Sequence, residues 1–359
     1  MDRDQLHLLL GAGVKHGASD IHLRVGDAPT YRVRGALAPL KYDKLRPADT
    51  EAITRIILAD PALLENLDAL QEYDTSYSVP QVARFRVNIH RQRGSLSLVL
   101  RIIAGEIPTI ESLGLPSVLR SIAETERGLV LVTGATGSGK SSTLAALINH
   151  INETRRVHIL TIEDPIEFLH RNNRASITQR EIGIDTRSFA IALRAALRMD
   201  PDVILVGEMR DTESIEIALK AAETGHVVFS TVHTTDAPKT ISRLLATFPP
   251  DEQAAVRNRL SESLRATVSQ RLVPRADGKG RAVAMEIMIA TGMIQDLMKD
   301  PARISQMKDV IEKGRSQYGM QTFDQHLVDL LHSGTITLET ALSACTNRGD
   351  FERTLNFNG

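Results

Sequence analysis

The chain has 359 residues, 42% of them apolar and 24% charged, with a formal net charge of −1, the make-up of a globular protein large enough for two or three domains. Near-neutrality excludes a global field that would draw the molecule to nucleic acid or anionic lipid. The single cysteine, Cys345, excludes an internal disulfide and a four-cysteine zinc site, and no apolar run approaches the ~18 residues that a membrane-crossing helix takes.

Residues 1–103 read as a smaller α+β unit. Charges of both signs open the chain, and the short apolar stretch behind them lacks a cleavage site, so no signal peptide is expected and a reducing cytosol fits. Helical spacing over 6–14 leads into strands at 20–25 and 30–34, turned by Gly26-Asp27. Helices at 47–58 and 61–67 each open on a proline, and strands follow at 73–79, 82–90 and 95–103. Val82, Phe85, Val87 and Ile89 alternate in part with Arg84, Arg86 and Asn88, which puts arginines on one face. Two prolines and two glycines mark 104–117 as a linker. In the second unit, 118–359, strands at 129–133, 157–162, 203–207 and 227–232 alternate with helical segments, the pattern of a parallel sheet covered by helices. From about 251 the chain turns mostly helical, with helices over 251–264 and 323–331 and a hairpin over 272–289 around Asp277-Gly278.

Residues 134–142 read Gly-Ala-Thr-Gly-Ser-Gly-Lys-Ser-Ser, and Gly134, Gly139, Lys140 and Ser141 fit the phosphate-loop pattern G-x-x-x-x-G-K-[ST]. The apolar run 128–133 before it and the helix-spaced run 142–150 after it supply the strand-loop-helix context that gives the pattern a mechanism. Glycines let backbone N–H groups close around a polyphosphate, with Ala135, Thr136, Gly137, Ser138 and Ser142 completing the cradle. Lys140 is placed to reach the β- and γ-phosphates and the Ser141 hydroxyl to bind Mg²⁺, so ATP and Mg²⁺ are the expected cofactors.

Hydrolysis also needs acids, and carboxylates at the C-terminal ends of parallel strands point into the ligand crevice. Glu163, Asp164 and Glu167 follow one strand and Glu208 follows another. Glu208 is expected to act on Mg²⁺ through water. Gly207 stands where such sites usually carry a second acid, so 163–167 must supply it; helix N-capping on a solvated loop is the other use of Glu163 and Glu167. His226 and His233 bracket the strand 227–232. His233 lies past its C-terminal end, where it could report the γ-phosphate, and His226 at the opposite end reads equally as a structural histidine. Arg84, Arg86, Arg91, Arg93 and Arg101 crowd the last strands of the first unit. A solvated strand face accounts for them, and arginine fingers reaching a neighbouring subunit are the alternative.

Together these segments resemble the secretion-type ATPases, and among them the type IV pilus retraction ATPases, the PilT family, over nearly the whole chain. Residues 17–23, Gly-Ala-Ser-Asp-Ile-His-Leu, look like the family's N-terminal signature; 134–141 match its Walker A, 159–168 its Asp box, 200–211 its Walker B and 222–235 its His box. The resemblance implies an α/β fold: a RecA-like P-loop ATPase domain with a helical C-terminal part, preceded by a smaller α+β PAS-like domain. It implies a homo-hexamer with ATP at the interfaces. By position, Glu167 would activate water with Glu163 beside it, Glu208 would be the Walker-B acid, His226 and His233 the His-box pair, and Arg86 and Arg101 would reach the nucleotide. The implied function is a cytoplasmic hydrolase powering pilus retraction and twitching motility. It would be peripheral to the cytoplasmic face of the inner membrane, with no direct nucleic acid, and would act on a membrane platform protein, with a paralogous retraction ATPase as a further implied partner. Extension and secretion ATPases usually carry a further N-terminal domain and a tetracysteine zinc motif; a chain that opens almost directly on the PAS-like unit and holds one cysteine leads to the retraction branch as the expectation. The retraction branch usually carries Ala-Ile-Arg-Asn-Leu-Ile-Arg-Glu, where 291–300 read Thr-Gly-Met-Ile-Gln-Asp-Leu-Met-Lys-Asp, and 319–327 resemble the accessory PilU branch.

Overall fold

The computed structural model describes residues 1–58, 60–103 and 106–357. Contacts divide the chain into Met1–Glu106 with Pro165–Leu169, and Ile107–Asp164 with His170–Gly359. Residues 104 and 105 of the expected linker lie outside the described residues. The rest of that stretch groups from Ile107 with the second unit, where Ile110 and Leu115 are buried.

In the first unit, strands β1 (Ala18–Arg24), β2 (Thr30–Val33), β3 (Ala36–Pro39), β4 (Glu72–Val79), β5 (Ala83–Gln92) and β6 (Ser95–Ile102) form a sheet in the order β3-β2-β1-β6-β5-β4. Every neighbouring pair is antiparallel. Asp2 starts the helix Arg3–Lys15 through a capping box with Gln5, and Leu6, Leu9 and Leu10 are its buried stripe. They join Ile21, Leu23, Phe85, Val87, Ile89, Leu98 and Leu100 in one core. The residues between go to the other face, where Ser76, Arg86, Arg101 and Asp20 stand opposite one another across β4, β5, β6 and β1.

The second unit holds β7 (Gly128–Thr133), β8 (His158–Glu163), β9 (Ser176–Glu181), β10 (Val203–Val206), β11 (Val227–Val232), β12 (Leu264–Pro274) and β13 (Arg281–Ile289) in the order β13-β12-β7-β11-β10-β8-β9. All neighbours are parallel except β12 and β13. The sheet is therefore mixed, and the hairpin is its continuation rather than an appendage. Leu129 and Leu131 of β7 enter one apolar layer with the helix Thr212–Glu223, while Val130 and Val132 enter another with the helix Lys140–Thr154. Burial on both faces is why β7, β10 and β11 read as unbroken apolar runs. Helices Phe323–His332 and Leu338–Ala344 cover the far end of the hairpin through Phe323, Leu327, Ala341, Val273 and Ala284.

One buried acid gives this unit a pH-dependent stability. Glu286 of β13 is 5% exposed and accepts a hydrogen bond from the backbone N–H of Ala237 at 2.8 Å, at the start of the helix Ala237–Leu245. Burial pushes its carboxyl up to about 7, against that hydrogen bond. The folded state thus holds a proton that the unfolded chain releases above the ordinary carboxylate range, so Glu286 costs stability as pH rises from about 4.5 to about 7. Glu286→Gln keeps an acceptor for Ala237 and cannot ionise. Its stability relative to wild type should rise across that window, by about 3 kcal/mol in order of magnitude at pH 8. Urea midpoints at pH 5 and pH 8 measure this; a difference independent of pH would refute it. Burial also pushes His170 and His326 down to about 4, so both lose stability as pH falls, but they are common to both proteins and drop out of the comparison.

Candidate nucleotide site

β7 delivers the chain to the loop at Thr133, whose hydroxyl donates to Ser269 Oγ of β12 at 3.0 Å. Gly134 follows with φ 145°, and a Cβ there would lie 2.5 Å from both the Gln270 carbonyl oxygen and Ser138 Oγ. No larger residue fits without moving backbone. Ala135, Thr136 and Gly137 form the exposed tip, Ser138 is buried, and Gly139 caps the helix Lys140–Thr154 in the left-handed region with φ 91°. That helix has no side-chain N-cap, so its first N–H groups remain available to an anion, as the helix dipole favours. Lys140 is 8% exposed and its Nζ donates to the carbonyls of Gly134 and Ala135 at 2.9 and 3.0 Å. Ser141 and Ser142 are half-buried in the first helical turn. Beside the loop opens a groove of about 560 Å³ lined in part by Ser142, Thr143, Leu272, Arg275 and Arg281, within the size range of small-molecule sites.

Glu208 stands in the turn after β10. Gly207 N–H donates to the Ile162 carbonyl at 2.8 Å, and Thr231 Oγ1 donates to the Gly207 carbonyl at 2.7 Å, strapping the turn to both neighbouring strands. A Cβ on residue 207 would sit 3.3 Å from the Ile162 oxygen, which gives the glycine in the usual acid position a steric reason. Glu208 is ion-paired with Arg210 and lies 3.4 Å from His233 Nε2. The structure thus brings Glu208 and His233 together. Arg210 was missed, because an exposed arginine after a turn carries no signal of its own.

His226 is separated from this group. It precedes β11, whereas His233 follows it, and its Nδ1 pairs with the Ala221 carbonyl at 3.0 Å, at the end of the helix Thr212–Glu223. The acid cluster is also divided. Glu163 ends β8 and accepts from Thr161 Oγ1 at 2.6 Å and Gln179 Nε2 at 3.2 Å, while the exposed Glu167 belongs to Pro165–Leu169 of the first unit. Arg86 and Arg101 face each other in that unit, and Arg101 Nε donates to Asp20 at 2.8 Å. Burial pushes the Asp20 carboxyl up, but hydrogen bonds from Arg101 and Ser19 outweigh it and leave the pKa below its ordinary value.

Ser141 and Glu208 offer oxygen donors, which suits a small hard dication. No group of three or more His, Cys, Asp or Glu among the described residues could hold a metal, so phosphate oxygens and water would complete its shell. The loop itself, a glycine cradle ending on an uncapped helix with a buried lysine, has the shape and charge that suit a nucleotide's phosphates.

Comparison with known proteins gives the lineage. The family described as Type II/IV secretion system protein matches residues 4–340. The chain belongs to that family. A Pseudomonas aeruginosa relative, Type IV pilus retractation ATPase PilT, is 47% identical over 333 residues, 93% of this chain and 96% of its own. Type IV pilus ATPase PilU of the same organism is 38% identical over 344 residues, covering 95% of this chain and 89% of its own. A crystal structure of the pilus retraction motor PilT with bound ADP superposes with a TM-score of 0.86 at 43% identity, covering 97% of this chain and 99% of that one. As a Type II/IV secretion system protein, the chain has an α/β fold with a RecA-like phosphate-loop ATPase domain preceded by a smaller unit. Among the described residues no helix is long and apolar enough to cross a membrane.

Proposed function

We propose that this chain is an ATP hydrolase which, as a ring of six copies at the cytoplasmic face of the inner membrane, powers retraction of a type IV pilus. The observation that carries the reading is 47% identity over 93% of the chain to a protein named as a pilus retraction ATPase. Bound with its Mg²⁺, ATP supplies the scissile phosphoanhydride and the energy of its hydrolysis. Lys140 and the first-turn N–H groups hold the phosphates, Ser141 and Glu208 hold the cation side, and His233 relays the occupancy of the Glu208 turn to β11. Glu167 takes the proton of the attacking water. Arg86 and Arg101 reach the nucleotide of a neighbouring copy.

The cellular test is deletion of the gene. Surface filaments should accumulate and twitching should stop, with wild type restoring both and Arg101→Ala failing to do so. Fewer filaments instead of more would assign the chain to extension and overturn the proposal. The accessory, PilU-like reading is favoured by two features, the absence of both arginines and the asparagine from the segment at 291–300 and the resemblance of 319–327 to that branch. It predicts that the deletion matters only when force is demanded or a paralogue is also missing.

A further inference from the structure

The phosphate loop is shaped from behind by a residue that no phosphate-loop pattern contains. Gln270 lies in β12, the parallel neighbour of β7, and is 1% exposed. Its side-chain Nε2 donates to the Ser138 carbonyl at 2.7 Å, in the middle of the loop. Its own carbonyl oxygen lies where a Cβ of residue 134 would be 2.5 Å away, and its Nε2 where a Cβ of residue 139 would be 3.2 Å away. One residue therefore meets the loop at its first glycine, its middle carbonyl and its last glycine. The strand is fixed on either side of that contact: Ser269 accepts from Thr133, and Arg271 stacks over the Phe323 ring at 4.0 Å and donates to the Ala344 carbonyl at 3.1 Å. The amide orientation follows from chemistry, since only the NH₂ end can bond to a carbonyl oxygen.

We propose that Gln270 is a positioning residue for nucleotide binding, holding the phosphate loop in its anion-receiving shape through the Ser138 carbonyl. A buried peptide carbonyl without its donor turns toward other partners, and rotating that peptide swings the following N–H, on Gly139, out of the cradle. The contact is present with or without a transition state, so it acts on affinity rather than on the chemical step. The inference rests on the nucleotide reading of the loop.

The test uses the full-length protein with ADP and ATP as probes. Gln270→Met keeps length and volume but cannot donate. It should bind ADP about tenfold more weakly and raise the KM for ATP by about the same factor, while kcat changes less than about threefold. Gln270→Glu adds a readout that mere packing would not move. Ionised, the carboxylate repels the Ser138 carbonyl; protonated, its O–H can donate as the amide did. Its ADP affinity relative to wild type at the same pH should therefore recover as pH falls from 8 toward 6. This variant also decides the matter if Gln270→Met fails to fold. Wild-type ADP affinity in a folded Gln270→Met protein, or a Gln270→Glu deficit that ignores pH, overturns the proposal. A wild-type protein that itself fails to bind ADP would instead overturn the nucleotide reading.

Discussion

Lys140→Ala should bind ADP about 10- to 100-fold more weakly and turn over ATP about 10³-fold more slowly than wild type. The ammonium is almost fully enclosed, with two of its donors on the carbonyls of Gly134 and Ala135, so its position is set by the loop and not by solvent. In this low-dielectric mouth a positive charge does more for a polyphosphate than an exposed lysine can. Alanine removes the charge and leaves the helix dipole and backbone N–H groups to bind alone. They still bind, which is why affinity falls less than rate: charge builds on the transferring phosphoryl oxygens in the transition state, and the lost cation is missed most there. Phosphate release under saturating ATP and calorimetric titration with ADP give the two numbers. Turnover within tenfold of wild type would show that hydrolysis does not pass through this loop.

Glu208→Gln should separate the same quantities more completely, with ATP affinity within about threefold of wild type and kcat down about 10²-fold or more. The amide preserves the side chain's shape in a turn held by the Ile162 and Gly207 carbonyls. It removes the charge that Arg210 and His233 now face and that would attract a cation. The variant should accumulate as an ATP-bound form, measurable by nucleotide content after rapid gel filtration. Undiminished phosphate release would remove Glu208 from the reaction and leave the acids at 163–167 as the remaining candidates.

What the sequence made legible follows from which residues serve the fold and which serve the site. The phosphate loop could be read because glycines with left-handed backbone, an apolar strand buried on both faces and a following helix each leave a separate mark, and β7, β10 and β11 are unbroken apolar runs for the same reason. β12 was largely missed. Its middle reads Thr267-Val-Ser-Gln-Arg271, and residues 267–270 are all buried. Three of those four are polar, and two of them, Ser269 and Gln270, bond to the loop strand and the loop, which disguises a core strand as a surface segment. The edge strands β9 and β3 were hidden by polar or exposed composition. The pairing of Glu208 with His233 was accessible because both follow parallel strands. The grouping of Glu167 with the first unit was not, since four residues in sequence carry no record of a change of unit.

The placement of Gln270 and Arg271 side by side has a thermodynamic corollary. One of them touches the phosphate cradle and the other is moored to the C-terminal helices. A macromolecule that seizes those helices and drags on Arg271 pulls the same cord that Gln270 holds. Linkage is symmetric, so whatever factor that grip imposes on nucleotide affinity, the nucleotide must return to the grip. The tail would then serve as a handle through which load is felt at the fuel.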